Sequence, residues 1–345
     1  MSLKYIAYRG FFEILWASQF THLVRALSRS RGVIFTLHRV LPAPPADFSP
    51  NYILQVSPQY LEYVIIRVRE LGFDIVSMDE AVERIRKPEG GRKFVVFSFD
   101  DAYKDNLEYA LPVLRRHDCP FILYVPTAFV DGVGDIWWQA LEDVIAGQEA
   151  ISYKQEDGEI IYEETGTVRQ KYQVYTKLYW RMRNMPEDER SSFMTEFTRN
   201  YGLDMNEHCR ELIMTWKQLQ TFVDEPLCTI GAHTVHHMEL AKLDEGRARQ
   251  EIAQSIQVIN SQFGFEPVHL SYPIGRGRSA GPREYEMARE LGLSSAVTTR
   301  PGAIYYRHKK QLTSLPRISL NGRFQKRRYV EVLATGPIFS MFSGI

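Results

Sequence analysis

The sequence predicts an α/β fold built on parallel strands, closed as a barrel or left as an open sheet. Three observations carry that expectation. Short apolar runs alternate with helix-period stretches along most of the chain, and such repeats set consecutive strands side by side and parallel, with helices outside them. The alternation stops between two strands for about a hundred residues, a stretch too long to lack structure of its own. The chain has 345 residues, which suffices for one large barrel or two ordinary domains with a full core.

The elements follow from the pattern in order. "GVIFTL" reads as a strand, "SPQYLEYVIIRVRELG" as a capped helix, "FDIVS" as a strand, "MDEAVERIRK" as a helix and "KFVVFSF" as a strand, on hydrophobic period and capping residues. "YKDNLEYALPVLRRHD" is helical in period despite Pro112, and "PFILYV" is the next strand. After the interruption come the strand "LCTIGA", the helix "DEGRARQEIAQSIQVINSQFG", the strand "VHLSYP", the helix "PREYEMARELG" and the strand "SSAVTT". Within the interruption, Asp157-Gly158 between two alternating runs signals a hairpin. "QVYTKLYWRMRN", "PEDERSSFMTEFTRNYG" and "TWKQLQTFV" read as helices, the last capped by Thr215. The expected divisions are residues 1–31, a barrel from 32–131 and 228–320, an inserted mixed α+β subdomain from 132–227, and a C-terminal helix or tail from 321–345.

Composition narrows the function classes. Forty-two basic residues balance 42 acidic ones and 44% of the chain is hydrophobic, so no overall field favours nucleic acid and disorder is not expected. Cys119, Cys209 and Cys228 are far apart and odd in number, which suggests neither a disulfide framework nor a thiolate zinc site and suits a reducing compartment. No run approaches the ~20 apolar residues that span a bilayer. The first 32 residues carry Lys4, Arg9, Arg25, Arg29 and Arg31 against Glu13 alone, with Phe12, Trp16, Phe20, Leu23 and Leu27 at helical spacing. Such a helix either lies on a membrane surface or packs across the end of the fold. The segment lacks the pattern of a cleaved leader, so the expected location is cytoplasmic, peripheral to the inner membrane if the helix is used that way.

Chemistry gathers at two strand ends. In "FVVFSFDDAYKDN" a buried strand stops on Asp100 and Asp101. Adjacent carboxylates raise each other's pKa unless a cation or donor intervenes, although Asp101 also fits a simple helix cap. In "IGAHTVHHMELAKL", again directly after a strand, His233 and His237 stand at i and i+4. A turn of helix there would put both imidazoles on one side, as metal ligands require, and point His236 elsewhere. Two imidazoles and one carboxylate leave coordination positions for water and substrate, the arrangement of a catalytic metal site. Zinc is the default for this set, with cobalt, nickel, manganese and iron as alternatives.

With both stretches in view the chain resembles the NodB-homology polysaccharide deacetylases, metal-dependent carbohydrate esterases. Their first motif, Thr-Phe-Asp-Asp-Gly, corresponds to Ser98-Phe99-Asp100-Asp101-Ala102, and their second, H-[ST]-x-x-H, to His233-Thr234-Val235-His236-His237. The resemblance implies a deformed (β/α) barrel, with Asp100 as general base and Asp101, His233 and His237 on the metal. The third motif, normally Arg-x-Pro-Tyr, reads Ser271-Tyr272-Pro273-Ile274-Gly275. That Tyr-Pro-x-Gly variant looks like an envelope and exopolysaccharide subgroup, and it lacks the arginine that tethers the base. Arg276, Arg300 and Arg317 are candidates to replace it, although arginines are mostly surface residues. A late Leu-x-His motif is replaced by "LPRISLNG", so the usual acid histidine has no counterpart there.

The expected reaction is therefore metal-dependent hydrolysis of an N-acetyl group on an amino sugar in a polysaccharide, lipopolysaccharide or lipid-linked glycan precursor. A backbone N–H near Tyr272 would stabilise the oxyanion, and Pro273 and Arg276 would border the substrate. His38, which ends the strand "GVIFTL", is the expected general acid, because the strand ends of Leu37, Phe99, Ala232 and Ser271 converge in such a barrel. Trp138, at the base of the insertion, offers an aromatic face to a sugar ring, or else is a buried hinge. The alternatives are a catalytically inactive glycan-binding barrel and a metal hydrolase of another amide.

Overall fold

The computed structural model describes residues 3–18, 28–88, 91–155 and 157–336, with side chains from Arg9 onward. Among the N-terminal residues singled out above, the Lys4 side chain, Phe20, Leu23, Arg25 and Leu27 lie outside the described set.

In chain order the strands are β1 (Gly32–Leu37), β2 (Arg39–Val40), β3 (Gln55–Val56), β4 (Asp74–Ile75), β5 (Phe94–Phe99), β6 (Phe121–Val125), β7 (Ala150–Lys154), β8 (Ile160–Glu164), β9 (Cys228–Ala232), β10 (His269–Ser271), β11 (Ser295–Val297) and β12 (Ile318–Ser319). Among the described residues β11, β10, β9, β6, β5, β1 and β12 follow one another across one sheet, with β4 beside the start of β5. Every pairing in it is parallel. β1, β5 and β6 are buried along their whole length, the reason their sequences read as continuous apolar runs rather than alternating ones.

The sheet curls until its ends meet. Leu315 bridges to Val297 of β11, and three residues on, Ile318 pairs with Phe35 of β1. Residues 315–319 thus span the gap between the two edges. Side chains alternate across the strands. Phe35, Leu37, Phe97, Phe99, Phe121 and Leu123 pack in the larger core. The intervening Ile34, Val96, Ile122 and Tyr124 meet Val297, Leu315 and the helix Met78–Arg86. Gly231 belongs to this tighter layer, where a Cβ would stand 2.5 Å from the Tyr124 ring.

The register aligns the strand ends. Leu37 pairs with Phe99, Phe99 with Leu123, Val125 with Ala232 and Ser271 with Val297. The residues that follow these ends therefore emerge at one rim.

Between β6 and β9, which pair with each other, the chain makes a long excursion. It holds the helix Trp137–Gly147, the antiparallel hairpin β7–β8 and helices Val168–Asn184, Glu187–Asn200, Met205–Leu212 and Trp216–Val223. The hairpin turns at Gly158, whose φ is +89°. Thr215 accepts from the Gln218 N–H and Gln218 answers back, a reciprocal cap. On its return the excursion straps the turn after Asp101, with the Met214 N–H on the Ala102 carbonyl at 3.1 Å.

One local expectation changes, and of the two roles weighed for the N-terminal helix the structure shows packing. The helix across Pro112 is not uniform: a π-turn at Asn106–Ala110 precedes the α-helix Leu111–Arg116. Proline has no N–H for the ladder, and the wider turn absorbs its ring. The N-terminal helix Leu3–Ala17 directs Phe12 and Leu15 into the protein. Phe12 meets Phe324 and Tyr329 at 5.0 and 5.2 Å, so the helix spends these positions on packing rather than on a lipid surface. Among the described residues no helix is long and apolar enough to cross a membrane.

Candidate active site

The rim gathers Asp100 and Asp101 after β5, His233 and His237 after β9, Ser271 at the end of β10, His38 after β1, and Arg317 from the closing segment. Asp101, His233 and His237 are buried, and each offers one ligand atom within 4.8 Å of the others. Asp101 Oδ1 lies 3.4 Å from Nε2 of His233 and 3.4 Å from Nε2 of His237, and it has no hydrogen-bond partner. A buried carboxylate oxygen without a donor is costly. Separations of 3.4 Å match the edges of a tetrahedron whose bonds to a central cation are about 2.0–2.2 Å. The orphaned oxygen, the spacing and the two imidazoles fit a divalent cation.

The imidazoles are prepared to ligate. His233 Nδ1 is 2.6 Å from the Ser271 carbonyl. That oxygen can only accept, so the proton is on Nδ1 and the lone pair on Nε2 faces Asp101. Burial pushes His237 down to about 3, which leaves its ring neutral. For His233 burial pulls the same way, but Asp101 and Asp100 outweigh it and its pKa lies above the ordinary value.

Neither ligand loop is regular, contrary to the helical turn and the Asp101 cap considered above. Asp101 and Ala102 have φ of +75° and +56°, and Thr234 and His237 have φ of +63° and +56°. Two left-handed residues flanking Val235 and His236 fold the chain back more tightly than a helix and bring His237 beside His233, ring centroids 4.8 Å apart. Side chains hold this bend. Thr234 Oγ1 accepts from the His237 N–H at 3.1 Å, and Glu251 accepts from the N–H groups of Val235 and His236. Glu251 also takes the ring of the half-exposed His236 at 2.6 Å. Ala102 occupies a left-handed position that favours glycine, the residue the family motif has there.

Asp100 is 2% exposed. Arg317 grips it with two bonds, 2.7 Å to Oδ1 and 2.6 Å to Oδ2, and Ser271 Oγ donates at 3.3 Å. Burial alone would raise this carboxyl, but the Arg317 and His233 charges hold it well below the usual carboxylate range. Arg317 is itself 1% exposed, contrary to the surface expectation for an arginine. Its remaining donors reach the Thr298 carbonyl, Ser98 Oγ and Ser271 Oγ at 3.1, 3.1 and 3.0 Å. The arginine absent from position 271 is thus supplied from across the barrel by the segment that replaces the late histidine motif. Serine at 271 leaves room for it. Its sequence signal was an arginine in the apolar run "LPRIS", but nothing in the run aims it at Asp100.

The other candidates fall in three groups. His38 Nε2 stands 4.0 Å from Asp100 Oδ2, with a fifth of its side chain exposed. Trp138 is buried against the Asp101, His233 and His237 cluster: its ring is 5.1 Å from His237, and its indole N–H donates to Tyr103 Oη at 3.1 Å. Tyr272 faces elsewhere. Its N–H is taken by the Val297 carbonyl and its hydroxyl donates to the carbonyls of Thr313 and Glu284, so the expected oxyanion donor is not Tyr272 itself. Pro273 is buried behind it and Arg276 is exposed on the following loop. Ile274, at φ +60°, carries an N–H with no partner among the described residues.

Comparison with known proteins gives the family and the fold. The polysaccharide deacetylase family profile matches residues 87–295. YxkH of Bacillus subtilis, whose curated name is that of a polysaccharide deacetylase, is 32% identical over 75 residues, 22% of this chain and 26% of that protein. The match thus spans about a quarter of that relative's length. Among solved structures, the Streptococcus pyogenes deacetylase PplD in complex with acetate aligns over 90% of this chain and 100% of its own, with TM-score 0.59 and 16% identity. IcaB from Ammonifex degensii aligns over 89% and 99%, with TM-score 0.54 and 20% identity. At these identities the likeness is one of fold: the curled parallel sheet is a deformed (β/α) barrel.

Proposed function

The chain belongs to the polysaccharide deacetylase family, and from that premise we propose that it hydrolyses the N-acetyl group of an amino sugar in a polysaccharide or lipid-linked glycan, releasing acetate and a free amine. The observation that carries this reading is the pairing of two adjacent aspartates with opposite environments. Asp101 presents an orphaned oxygen to two imidazoles, whereas both oxygens of Asp100 are held by Arg317. Residues 32–131 and 228–320 would form the catalytic barrel and 132–227 a subdomain over its rim.

Asp101, His233 and His237 would hold a divalent cation, zinc by preference for two imidazoles and a carboxylate, and when bound it supplies Lewis acidity and a water acidic enough to ionise near neutral pH. Asp100, kept ionised by Arg317, accepts the proton as the water oxygen bonds to the acetyl carbon. The Ile274 N–H donates to the carbonyl oxygen as charge grows there. His38 then delivers a proton to the nitrogen, and the C–N bond breaks to leave acetate and the amine. A purely glycan-binding role gives no reason to bury an arginine against Asp100.

The test is acetate release from N-acetylglucosamine oligomers by protein reconstituted with zinc or cobalt. Asp100→Asn is expected to keep its metal and lose about 10²–10⁴-fold in turnover. His38→Gln is expected to lose turnover with metal content unchanged. Metal-loaded protein that releases no acetate from a panel of acetylated amino sugars would refute the proposal.

A further inference from the structure

The excursion between β6 and β9 meets the proposed metal ligand His237 through Trp138 and its loop through Glu239, and the contacts close into a ring. On the backbone side, Glu239 stands two residues beyond His237 and is 1% exposed. One of its oxygens accepts from Ser279 Oγ at 2.6 Å. The other pairs with Arg183 of the excursion at 2.7 Å and with Lys242 at 2.9 Å. Lys242 continues to the Met185 carbonyl at 2.8 Å and to Glu187 at 3.3 Å. Glu187 holds Arg190 at 2.6 Å, and the Arg190 guanidinium lies 5.5 Å from the Trp137 ring. Trp137 packs edge-on against Trp138 at 5.8 Å, and Trp138 returns to the His237 imidazole at 5.1 Å.

Buried ion pairs add little net stability over well-packed apolar groups, but they fix geometry, because a displaced charge is left unpaired. His237 needs such fixing. It sits at φ +56° in a loop with neither helix nor strand to set its direction, and imidazole ligands misplaced by a fraction of an ångström bind metal poorly. Ser279 extends the ring to the loop that follows Ile274, so both rim loops are tied to the same carboxylate.

We propose that the excursion is a clamp that positions His237, with Glu239 as its central positioning residue. Arg183, Lys242, Glu187 and Arg190 fix the loop, and Trp137 and Trp138 fix the ring. The inference rests on the metal-site reading above and assigns the excursion a part in metal affinity besides covering the rim.

The experiment measures cobalt and zinc affinity of the full chain by competition with a chromophoric chelator, the visible absorption of the cobalt form, and thermal unfolding of the metal-free protein. Glu239→Ala is expected to weaken metal binding about 10–100-fold and to alter the cobalt bands. Glu239→Gln, which keeps an acceptor for Ser279, is expected to recover part of the loss. Arg183→Met tests the ring from the excursion side should Glu239→Ala fail to fold. Glu225→Ala, which breaks the Arg115–Glu225 pair outside the ring, is expected to lower the unfolding temperature without changing the metal constants. Folded Glu239→Ala and Arg183→Met proteins with wild-type metal constants and cobalt spectra would overturn the clamp. A wild-type protein that binds no cobalt or zinc would instead overturn the metal site, and the clamp with it.

Discussion

Arg317 shows how far one residue's environment departs from its type. Its guanidinium meets Asp100, Ser98, Ser271 and the Thr298 carbonyl and lies 5.8 Å from the Tyr124 ring, so each contact replaces water lost on burial. Arg317→Gln removes the charge that opposes burial at Asp100. The Asp100 pKa then rises, and with Asp100 as the proposed base the acid limb of the kcat/KM profile moves to higher pH. In the native protein the depressed carboxyl contributes stability above its unfolded value and loses it as pH falls through the folded one. The variant forfeits that contribution, and breaking a buried pair costs about 3–5 kcal/mol. A pH–rate profile and a denaturant titration check the two outcomes, and an unmoved acid limb would leave Arg317 a purely structural role.

At the scale of elements, short-range side-chain bonds hold what backbone ladders do not. The bend at His233–His237 depends on Thr234 and Glu251 rather than on a helix. The N-terminal helix depends likewise on Glu13, which meets Lys326, Arg328 and Tyr329 of the C-terminal segment. Hydrogen bonds from Arg328, Lys326 and Tyr329 lower Glu13 from 4.5 to about 2. The folded value is depressed, so the tether is complete above about 4.5 and fades as pH falls toward about 2. Amide protection of residues 3–17, corrected for intrinsic exchange, is expected to fall over that window while the barrel strands stay protected. Glu13→Gln should speed tryptic removal of the helix at neutral pH, and high salt should act in the same direction because the carboxylate is partly exposed.

For the whole molecule, the proposed metal ligands Asp101, His233 and His237 come from two strand ends far apart in sequence, so a cation would bridge the barrel halves on either side of the excursion. A ligand that binds only the folded state stabilises it by mass action, about 2.7 kcal/mol at a hundred times Kd. Thermal unfolding is therefore expected to rise with zinc and fall back with a chelator. His237→Ala should lose the zinc-dependent rise, and a rise that persists in the variant would place the binding elsewhere.

How much was legible in the sequence follows from the range of each interaction. Strand and helix periods, the Asp157-Gly158 hairpin and the Thr215 cap are set by neighbours within a few residues, so the α/β alternation and the excursion could be read directly. Asp100, Asp101, His233 and His237 were legible because their motifs sit directly after strands. The sequence could not determine which backbone conformation joins His233 to His237, since i and i+4 spacing suits a helix as well as a bend. It also offered three arginines for one task. Only the closing of the sheet by residues 315–319 decided for Arg317, because its partner Asp100 lies 217 positions away in sequence. The pairing of β10 with β11 likewise gives the Tyr272 N–H to the Val297 carbonyl, and Ile274 keeps an N–H with no partner among the described residues. Contacts of that separation are fixed by strand register and burial, which single-chain periodicity does not encode.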